Sequence, residues 1–561
     1  MKNLFAVILF LSLIVPLAQA RQAPKSLVKY WVYFTDKGAI PTAEVCDPLI
    51  IDPKAIERRK LRGHAVPEAF DLPPNSVYID RIQSFGLEVS HQSRWLNAVS
   101  AWLTPAQKQE VLGLEFVRAV HPVGRLMPER DPSILPLVFA THSTTSHAYS
   151  FSYGSSFNQL EIVNAINPIE RGIIGTGVRL GFLDTGLGNI NLHPAFAKMI
   201  SEGRFVETRD FTGQPDDLSR HGRSVISVAA GFDDGTLIGP AFGAEIIHAR
   251  TEYTPTETNQ EEDNFVAGLE WLESMGVDVV NVSLGYSEFD AGQKSYTTSD
   301  MDGNTAVTTI AADIAAKFGV VMVNSAGNEG CGSPSQCWYF ITSPADGDSV
   351  ITVGAVNSFG NHSSFSSFGP TADGRIKPDV SAQGENVWLA AGDADYGFSQ
   401  GTSFSSPMVA GIATAMLQAN PKLTPIQVRD ILRETASQAT TPDNSLGWGI
   451  VDADAAIKQA EAMATGTDSN EAPLATVAIS VFPNPFNERT TFEINRGDLP
   501  THVRLEIYDI LGRRVAVPFD GNLSTGPERI AFDAGALPSG VYIYKLNGSA
   551  ISKRGTLVLE R

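Results

Sequence analysis

Between about Ser150 and Ala462 the chain repeatedly places short runs in which nearly every residue is apolar: VRLGFLDTG, AEIIHAR, VDVVNVSLG, GVVMVNSAGN and VITVGAV. A strand with one wet face alternates apolar and polar residues, so runs without alternation predict strands covered on both faces. Between them lie NFVAGLEWLESMG and TTIAADIAAKFG, whose apolar positions recur at helical spacing. Strands alternating with helices predict an α/β domain, a doubly wound and mostly parallel sheet. Functional groups in such sheets gather outside the carboxyl ends of the strands, where Asp184 and Asn328 stand.

The pattern changes on both sides of this region. KYWVYFTDKG reads as a strand, and GLEVSHQSRWLNAVSAWLTPAQKQEVLGLEFVRAVHPV as strand, strand, helix, strand, together an N-terminal α+β module. From Met127 to about Tyr149 the sequence falls into Pro, Ser, Thr and His without periodicity, as a linker open to proteolysis does. After the polar stretch TGTDSNEAP come TVAISVFPNPFN, TTFEI, VRLEIYDILGRRV, ERIAFDAG and GVYIYKLNG, short alternating strands that predict a small antiparallel β-sandwich. The first residues, MKNLFAVILFLSLIVPLAQA, carry one cation, an apolar run of about 14 residues and Ala18-Gln19-Ala20. That run is shorter than the roughly 20 residues of a spanning helix and reads as a signal peptide cut after Ala20. The expected organisation is signal peptide 1–20, α+β module 21–130, linker 131–149, α/β domain 150–462, linker 463–474 and sandwich 475–561.

A chain of 561 residues is too long for one core, and 43% hydrophobic with 19% charged residues is a globular composition. A formal net charge of −20 argues against a nucleic-acid partner, because a phosphate backbone would be repelled. Only three cysteines occur. Cys331 and Cys337 lie close together in the turn-rich CGSPSQC, where export permits a disulfide. Two sulfurs without a nearby histidine or third cysteine are a poor metal site, so no metal is assigned to them. Cys46 is left over.

Four residues are candidates for chemistry. Asp184 in FLDTGLG is a carboxylate at the end of a buried strand, fit either for a rigid, desolvated role or for capping. His221 in SRHGRSVISVAAG opens a helix, because Val225, Val228 and Ala229 share one face. His193 in NLHPAF is a rival base whose neighbour Pro194 suits a structural turn better. Asn328 in a Gly-flanked turn is either a left-handed turn residue or a donor to an oxyanion. Ser403 in GTSFSSPMVAG sits at a helix N-terminus, where free N–H groups favour developing negative charge, and Ser405 or Ser406 is expected to cap that helix. Nucleophilic serine catalysis needs an alcohol, a base, an acid to orient the base and oxyanion donors, and the chain supplies one of each.

DTG, HG opening a helix, SAGNEG and GTSFSSPMVAG resemble the four signature segments of the subtilisin-like serine proteases, over roughly Ser150 to Ala462 and including GWGIVDADAA. The resemblance implies a secreted serine endopeptidase acting on polypeptides through an acyl-enzyme. Asp184 is then the orienting acid, His221 the general base and Ser403 the nucleophile, with Asn328 and the Ser403 N–H as oxyanion donors. It further implies that Ser283, Leu284, Gly285 and Ser325, Ala326, Gly327 flank the substrate side chain in a roomy, apolar slot. Where the family has Thr-His after His-Gly, this chain has Arg223 and Ser224. Arg223 is expected to point outward, although it also leaves open a catalytically inert adhesin or scaffold at the cell surface. The module 21–130 resembles the family's propeptide, an intramolecular chaperone and inhibitor, whose removal would discard Cys46. VFPNPFN, YDILGRRV and LPSGVYIYKL resemble the sorting domains of type IX secretion, which implies the secretion machinery as a partner. A monomer is expected. No cofactor is implied for catalysis. Calcium is possible as a structural ion at RDFTGQPDD or SDMDGNT, but neither has full EF-hand spacing and solvated acidic loops are expected there.

Overall fold

The computed structural model describes residues 27–38, 51–63, 69–123, 149–465 and 478–559, apart from breaks at 216–218, 256–257, 259, 291–294, 332–337, 483, 485, 496–500, 510–513, 524–526, 536, 538–539 and 549–550. The expected signal peptide, almost all of the 131–149 linker, Cys46 and Cys337 lie outside the described residues. The chain divides into two units, Met1–Ala464 and Thr465–Arg561.

The first unit is built on a seven-stranded sheet. Its order from edge to edge is Val380–Gln383, Val350–Val356, Val321–Ser325, Val279–Val282, Arg179–Asp184, Glu245–Arg250 and Phe205–Asp210, and every neighbouring pair is parallel. The unbroken apolar runs have the cause expected of them. Leu180, Phe182, Val321 and Val323 enter one core, while Leu183, Val280, Val282 and Met322 enter the core on the opposite face. Helices His221–Ala230 and Thr402–Ala419 supply the first core; Gln260–Ser274 and Val307–Lys317 supply the second. The strand Arg179–Asp184 is the first of the seven in sequence, yet it has neighbours on both sides. The sheet therefore grows in two directions from it, and its carboxyl end opens at the point where the connections diverge.

The α+β module forms a four-stranded antiparallel sheet, in the order Val89–Ser93, Ala98–Leu103, Val28–Phe34, Val117–Pro122. Thr104 closes a capping box with Gln107 before the helix Pro105–Leu112, so the predicted strand, strand, helix, strand succession is present. The module rests against the second core: Trp31, Trp95 and Leu96 are buried with Phe265, Leu269, Leu272 and Phe318. Charges are buried in the same contact. Glu273 receives Arg58, Arg59 and Arg94, Lys29 pairs with Asp263 at 2.5 Å, and Glu270 accepts from Ser93 and from the Arg94 backbone N–H.

The second unit contains a three-stranded sheet, Ala478–Phe482, Arg489–Asn495, Pro527–Asp533, and a four-stranded sheet, Arg514–Leu523, Thr501–Asp509, Gly540–Gly548, Ile551–Leu559. All pairings are antiparallel. Phe492, Ile494, Leu505, Ile507, Leu546 and Leu557 form the core, which matches the small sandwich predicted from alternation. No helix among the described residues is long and apolar enough to cross a membrane.

Candidate active site

Asp184 is the last residue of its strand and is 0% exposed. Its Oδ1 accepts the Thr185 N–H at 2.7 Å and meets His221 Nδ1 at 2.6 Å. A carboxylate can only accept, so Nδ1 carries the imidazole proton and Nε2 presents a lone pair. The two residues meet because His221 is the first residue of its helix and Gly222 lets that helix close on the Asp184 turn. A Cβ at Gly222 would lie 2.8 Å from the Thr185 carbonyl oxygen, 3.2 Å from that of Gly186 and 3.3 Å from Asp184 Cβ. His221 keeps 24% of its side chain exposed, enough for access from outside.

The turn after Asp184 is held from behind by a residue that sequence reasoning did not single out. His248 is fully buried; its Nε2 lies 2.9 Å from the Thr185 carbonyl oxygen and its Nδ1 2.9 Å from Thr208 Oγ1. A carbonyl only accepts, so Nε2 is the protonated nitrogen and Nδ1 accepts from the threonine hydroxyl. Burial pushes this imidazole down to about 4, so it stays neutral at neutral pH. The signal in the sequence was a histidine inside an otherwise apolar strand.

Ser403 is the second residue of the helix Thr402–Ala419 and is 4% exposed. Gly401 precedes the helix at φ 145°, a conformation that favours glycine. Neither Ser405 nor Ser406 caps the helix, contrary to expectation: Ser405 donates to the Thr402 carbonyl at 3.0 Å and Ser406 to Asn281 at 2.8 Å. The first helical N–H, that of Thr402, is instead satisfied by Asn328 Oδ1 at 2.8 Å, which also accepts the Thr402 hydroxyl at 2.9 Å. A Cβ built on Gly401 would stand 3.6 Å from Asn328 Nδ2, 3.7 Å from the Ser403 backbone nitrogen and 3.8 Å from Asn328 Oδ1, so the Asn328 amide and the Ser403 N–H lie beside one small volume.

Pro407 completes the arrangement. Having no N–H, it cannot bond the carbonyl four residues back, which belongs to Ser403. That carbonyl accepts from Ser283 Oγ at 2.9 Å, and Ser403 Oγ lies 3.3 Å from the Ser283 carbonyl oxygen. The segment Ser283–Gly285, at the end of the neighbouring strand, is thereby fastened to the serine. Phe404, the next residue, has its ring 5.7 Å from the His221 ring, so the start of this helix abuts the imidazole.

Ser325–Gly327 ends the strand beyond Ser283–Gly285, with Val282 and Asn324 in register just before the two segments. Thr342 lies near both: a Cβ on Gly285 would lie 2.2 Å from Thr342 Oγ1, and one on Gly327 would lie 2.8 Å from Ser367 Oγ and 3.2 Å from Thr342 Oγ1.

Arg223 does not point outward as expected. It is 0% exposed, and its Nη2 donates to the carbonyls of Ala391 at 3.1 Å and Gly392 at 2.6 Å, while Ser224 donates to Ala390 at 2.8 Å. The pair thus ties the His221 helix to the hairpin Val387–Ala390/Tyr396–Ser399 that leads into Ser403. His193, the rival base, has a structural place: it caps the helix Pro194–Ser201 through Nδ1 and contacts the Asp395 carbonyl at 2.9 Å through Nε2. Cys331 is disulfide-bonded; its expected partner Cys337 lies outside the described residues. In the candidate calcium segments Asp210 accepts from Thr212 and pairs with Arg250, and Asp302 accepts from Asn304 and Thr305. Among the described residues no group of three or more His, Cys, Asp or Glu is placed to hold a metal ion.

Comparison with known proteins gives three family matches: the subtilase family, peptidase S8, over residues 175–449; the Bacteroidota peptidase S8 propeptide domain over 29–133; and the secretion system C-terminal sorting domain over 480–560. The chain is 30% identical over 359 residues to subtilisin amylosacchariticus of Bacillus subtilis subsp. amylosacchariticus, covering 64% of this chain and 80% of that protein. It is 30% identical over 360 residues to subtilisin E of Bacillus subtilis (strain 168), with the same two coverages of 64% and 80%. It is 31% identical over 285 residues to subtilisin DY of Bacillus licheniformis, covering 50% of this chain and 90% of that protein. Among solved structures, the MycP3 protease from the type VII (ESX-3) secretion system aligns at 25% identity and a TM-score of 0.43, over 58% of this chain and 91% of that one.

Proposed function

Because this chain belongs to the subtilase family, we propose that it is an exported serine endopeptidase with Asp184, His221 and Ser403 as its triad. Ser403 Oγ attacks the scissile carbonyl carbon as His221 Nε2 takes the hydroxyl proton. The carbonyl oxygen becomes an oxyanion that accepts from Asn328 Nδ2 and the Ser403 N–H. The tetrahedral species collapses to an acyl-enzyme while His221 returns the proton to the leaving amine. Water, deprotonated by the same imidazole, then releases the new carboxyl end and restores Ser403. Asp184 keeps Nδ1 protonated throughout and stabilises the imidazolium that forms at each step.

The observation that carries this reading is the 2.6 Å contact between Asp184 Oδ1 and His221 Nδ1, which selects the tautomer a general base needs. The propeptide match over 29–133 supports synthesis as an inhibited precursor, and the sorting-domain match over 480–560 supports delivery outside the cell. An organofluorophosphonate is expected to label Ser403 in the secreted, processed protein. Ser403→Ala is expected to lose both label and peptide hydrolysis. Absence of label on folded, processed wild type overturns the assignment.

A further inference from the structure

Thr185, the residue after Asp184, is pinned through its N–H, its hydroxyl and its carbonyl. The N–H donates to Asp184 Oδ1 at 2.7 Å, the atom that also meets His221 Nδ1. The hydroxyl oxygen accepts the Gly222 N–H at 3.3 Å and lies 2.8 Å from Ser219 Oγ. The carbonyl oxygen accepts from His248 Nε2 at 2.9 Å. That oxygen has a second part to play, because a Cβ on Gly222 would meet it first, at 2.8 Å. The helix that carries His221 therefore rests, at Gly222, on the same oxygen that His248 holds.

The sheet brings His248 to this place. Its strand, Glu245–Arg250, pairs with Arg179–Asp184 on one side and with Phe205–Asp210 on the other, so Thr208, His248 and Phe182 stand in register across three strands. Asp184 lies two residues beyond Phe182 and shares its face. The other residues around His248 in its strand are Ile246, Ile247 and Ala249, all buried in the two cores. An apolar side chain would suit the strand equally well. It would, however, leave the Thr185 carbonyl without the donor it now has. The imidazole is thus in the strand for its bonds: Nε2 to the turn, Nδ1 to Thr208.

We infer that His248 is a positioning residue for the Asp184–His221 pair: by holding the Thr185 carbonyl it sets how closely the His221 helix stands to the carboxylate. The inference rests on the protease reading above. Without the Nε2 donor the Thr185 carbonyl turns in search of another, Gly222 moves with it, and the 2.6 Å contact between Asp184 and His221 lengthens. Displacements of an ångström at a reacting group, caused from a distance, cost about two orders of magnitude in rate. His248 is fully buried beneath the turn and meets no substrate, so the loss falls on kcat and spares KM.

The test compares two amides in the secreted, processed protein. His248→Gln places an N–H where Nε2 stands and keeps the donor to Thr185; His248→Asn reaches only as far as Nδ1 and loses it. Peptide hydrolysis is expected to fall in kcat by about tenfold or more for His248→Asn, with KM nearly unchanged, and to stay within about threefold of wild type for His248→Gln. Proton NMR adds a readout that a purely structural role would not move. The proton between Asp184 and His221 lies far downfield because the bond is short and charge-assisted. It is expected to move upfield in His248→Asn and to return in His248→Gln. A folded His248→Asn with wild-type kcat, or with that proton unmoved, overturns the inference. Should His248→Asn not fold, the wild type decides through its imidazole nitrogen spectrum. Protonation of His248 at Nε2 supports the inference and protonation at Nδ1 overturns it. Organofluorophosphonate labelling, run alongside, separates the two readings. A labelled wild type with an indifferent His248→Asn defeats the role of His248 alone, whereas an unlabelled wild type that cleaves no peptide defeats the protease reading and this inference with it.

Discussion

Arg59 offers a direct measure of how the N-terminal module holds the peptidase domain. It is fully buried and spends its whole guanidinium fork: Nη1 contacts both oxygens of Asp71 at 2.8 and 2.9 Å, while Nε and Nη2 reach the two oxygens of Glu273 at 2.9 and 2.8 Å. Its Cζ also lies 4.4 Å from the centre of the Phe318 ring. Burial alone would raise the Glu273 carboxyl, yet the guanidiniums of Arg58, Arg59 and Arg94 hold it below the ordinary carboxylate range. Removing one partner of a buried ion pair costs about 3–5 kcal/mol. Arg58 and Arg94 still touch Glu273 after Arg59→Ala, so the lower end applies, and 3 kcal/mol is roughly two orders of magnitude in an inhibition constant. The assay is inhibition of the processed enzyme by the propeptide, residues 21–130, added in trans and followed by progress curves. Arg59→Ala is expected to raise the inhibition constant about a hundredfold, with Arg59→Lys in between because an ammonium lacks the fork. A bound-state carboxyl held low contributes fully above the free value of about 4.3 and loses that contribution as pH falls through the lower value, so the Arg59→Ala penalty shrinks below about pH 4. A rise of under about threefold, in a propeptide of unchanged circular dichroism, would refute the reasoning. A double-mutant cycle with Glu273→Gln that shows no coupling would do the same.

Asn328→Ala is expected to lower kcat by about two to three orders of magnitude with KM nearly unchanged, because in the proposed mechanism its amide serves the transition state; a loss confined to KM would remove it from the proposed oxyanion site. Gly222→Ala drives a Cβ to 2.8 Å from the Thr185 carbonyl oxygen, and neither backbone can yield without lengthening the Asp184–His221 contact. A fall in kcat of about a hundredfold in a folded protein follows, and turnover within about threefold of wild type contradicts it. His248 is held by burial at about 4 in the fold against about 6.5 unfolded, a gap worth about 3 kcal/mol. Stability from a lowered imidazole is complete above the unfolded value and is lost as pH falls from 6.5 toward 4. In a Ser403→Ala background, which prevents self-digestion, the melting temperature is therefore expected to fall across that window less steeply for His248→Gln than for His248. Identical slopes would show that another group controls acid sensitivity.

What could be read from the sequence was set by local rules. A run such as VDVVNVSLG has no wet face, so a parallel sheet and the position of Asp184 at a strand end followed without coordinates. His221 at a helix start beside Gly222, and Ser403 before an apolar helix, were legible because each needs a particular backbone setting that its own neighbours declare. Arg223, His248 and Thr342 were not, because their partners lie far away in sequence and within reach only in space. Nothing next to Arg223 announces the carbonyls of Ala391 and Gly392, and the register that sets His248 opposite Phe182 belongs to the assembled sheet.

Pro407 shows where the two kinds of information join. Its place in the sequence already dictates that the Ser403 carbonyl will lack a helical donor, since a proline four residues on has no N–H to give. It does not dictate what replaces that bond. The fold answers with Ser283, the residue just past the end of the adjacent strand, whose hydroxyl takes the freed carbonyl while its own carbonyl lies against the Ser403 hydroxyl. One missing hydrogen-bond donor thus fastens the helix that carries Ser403 to the segment Ser283–Gly285. A shift of the segment Ser283–Gly285 would therefore reach Ser403 through these two contacts.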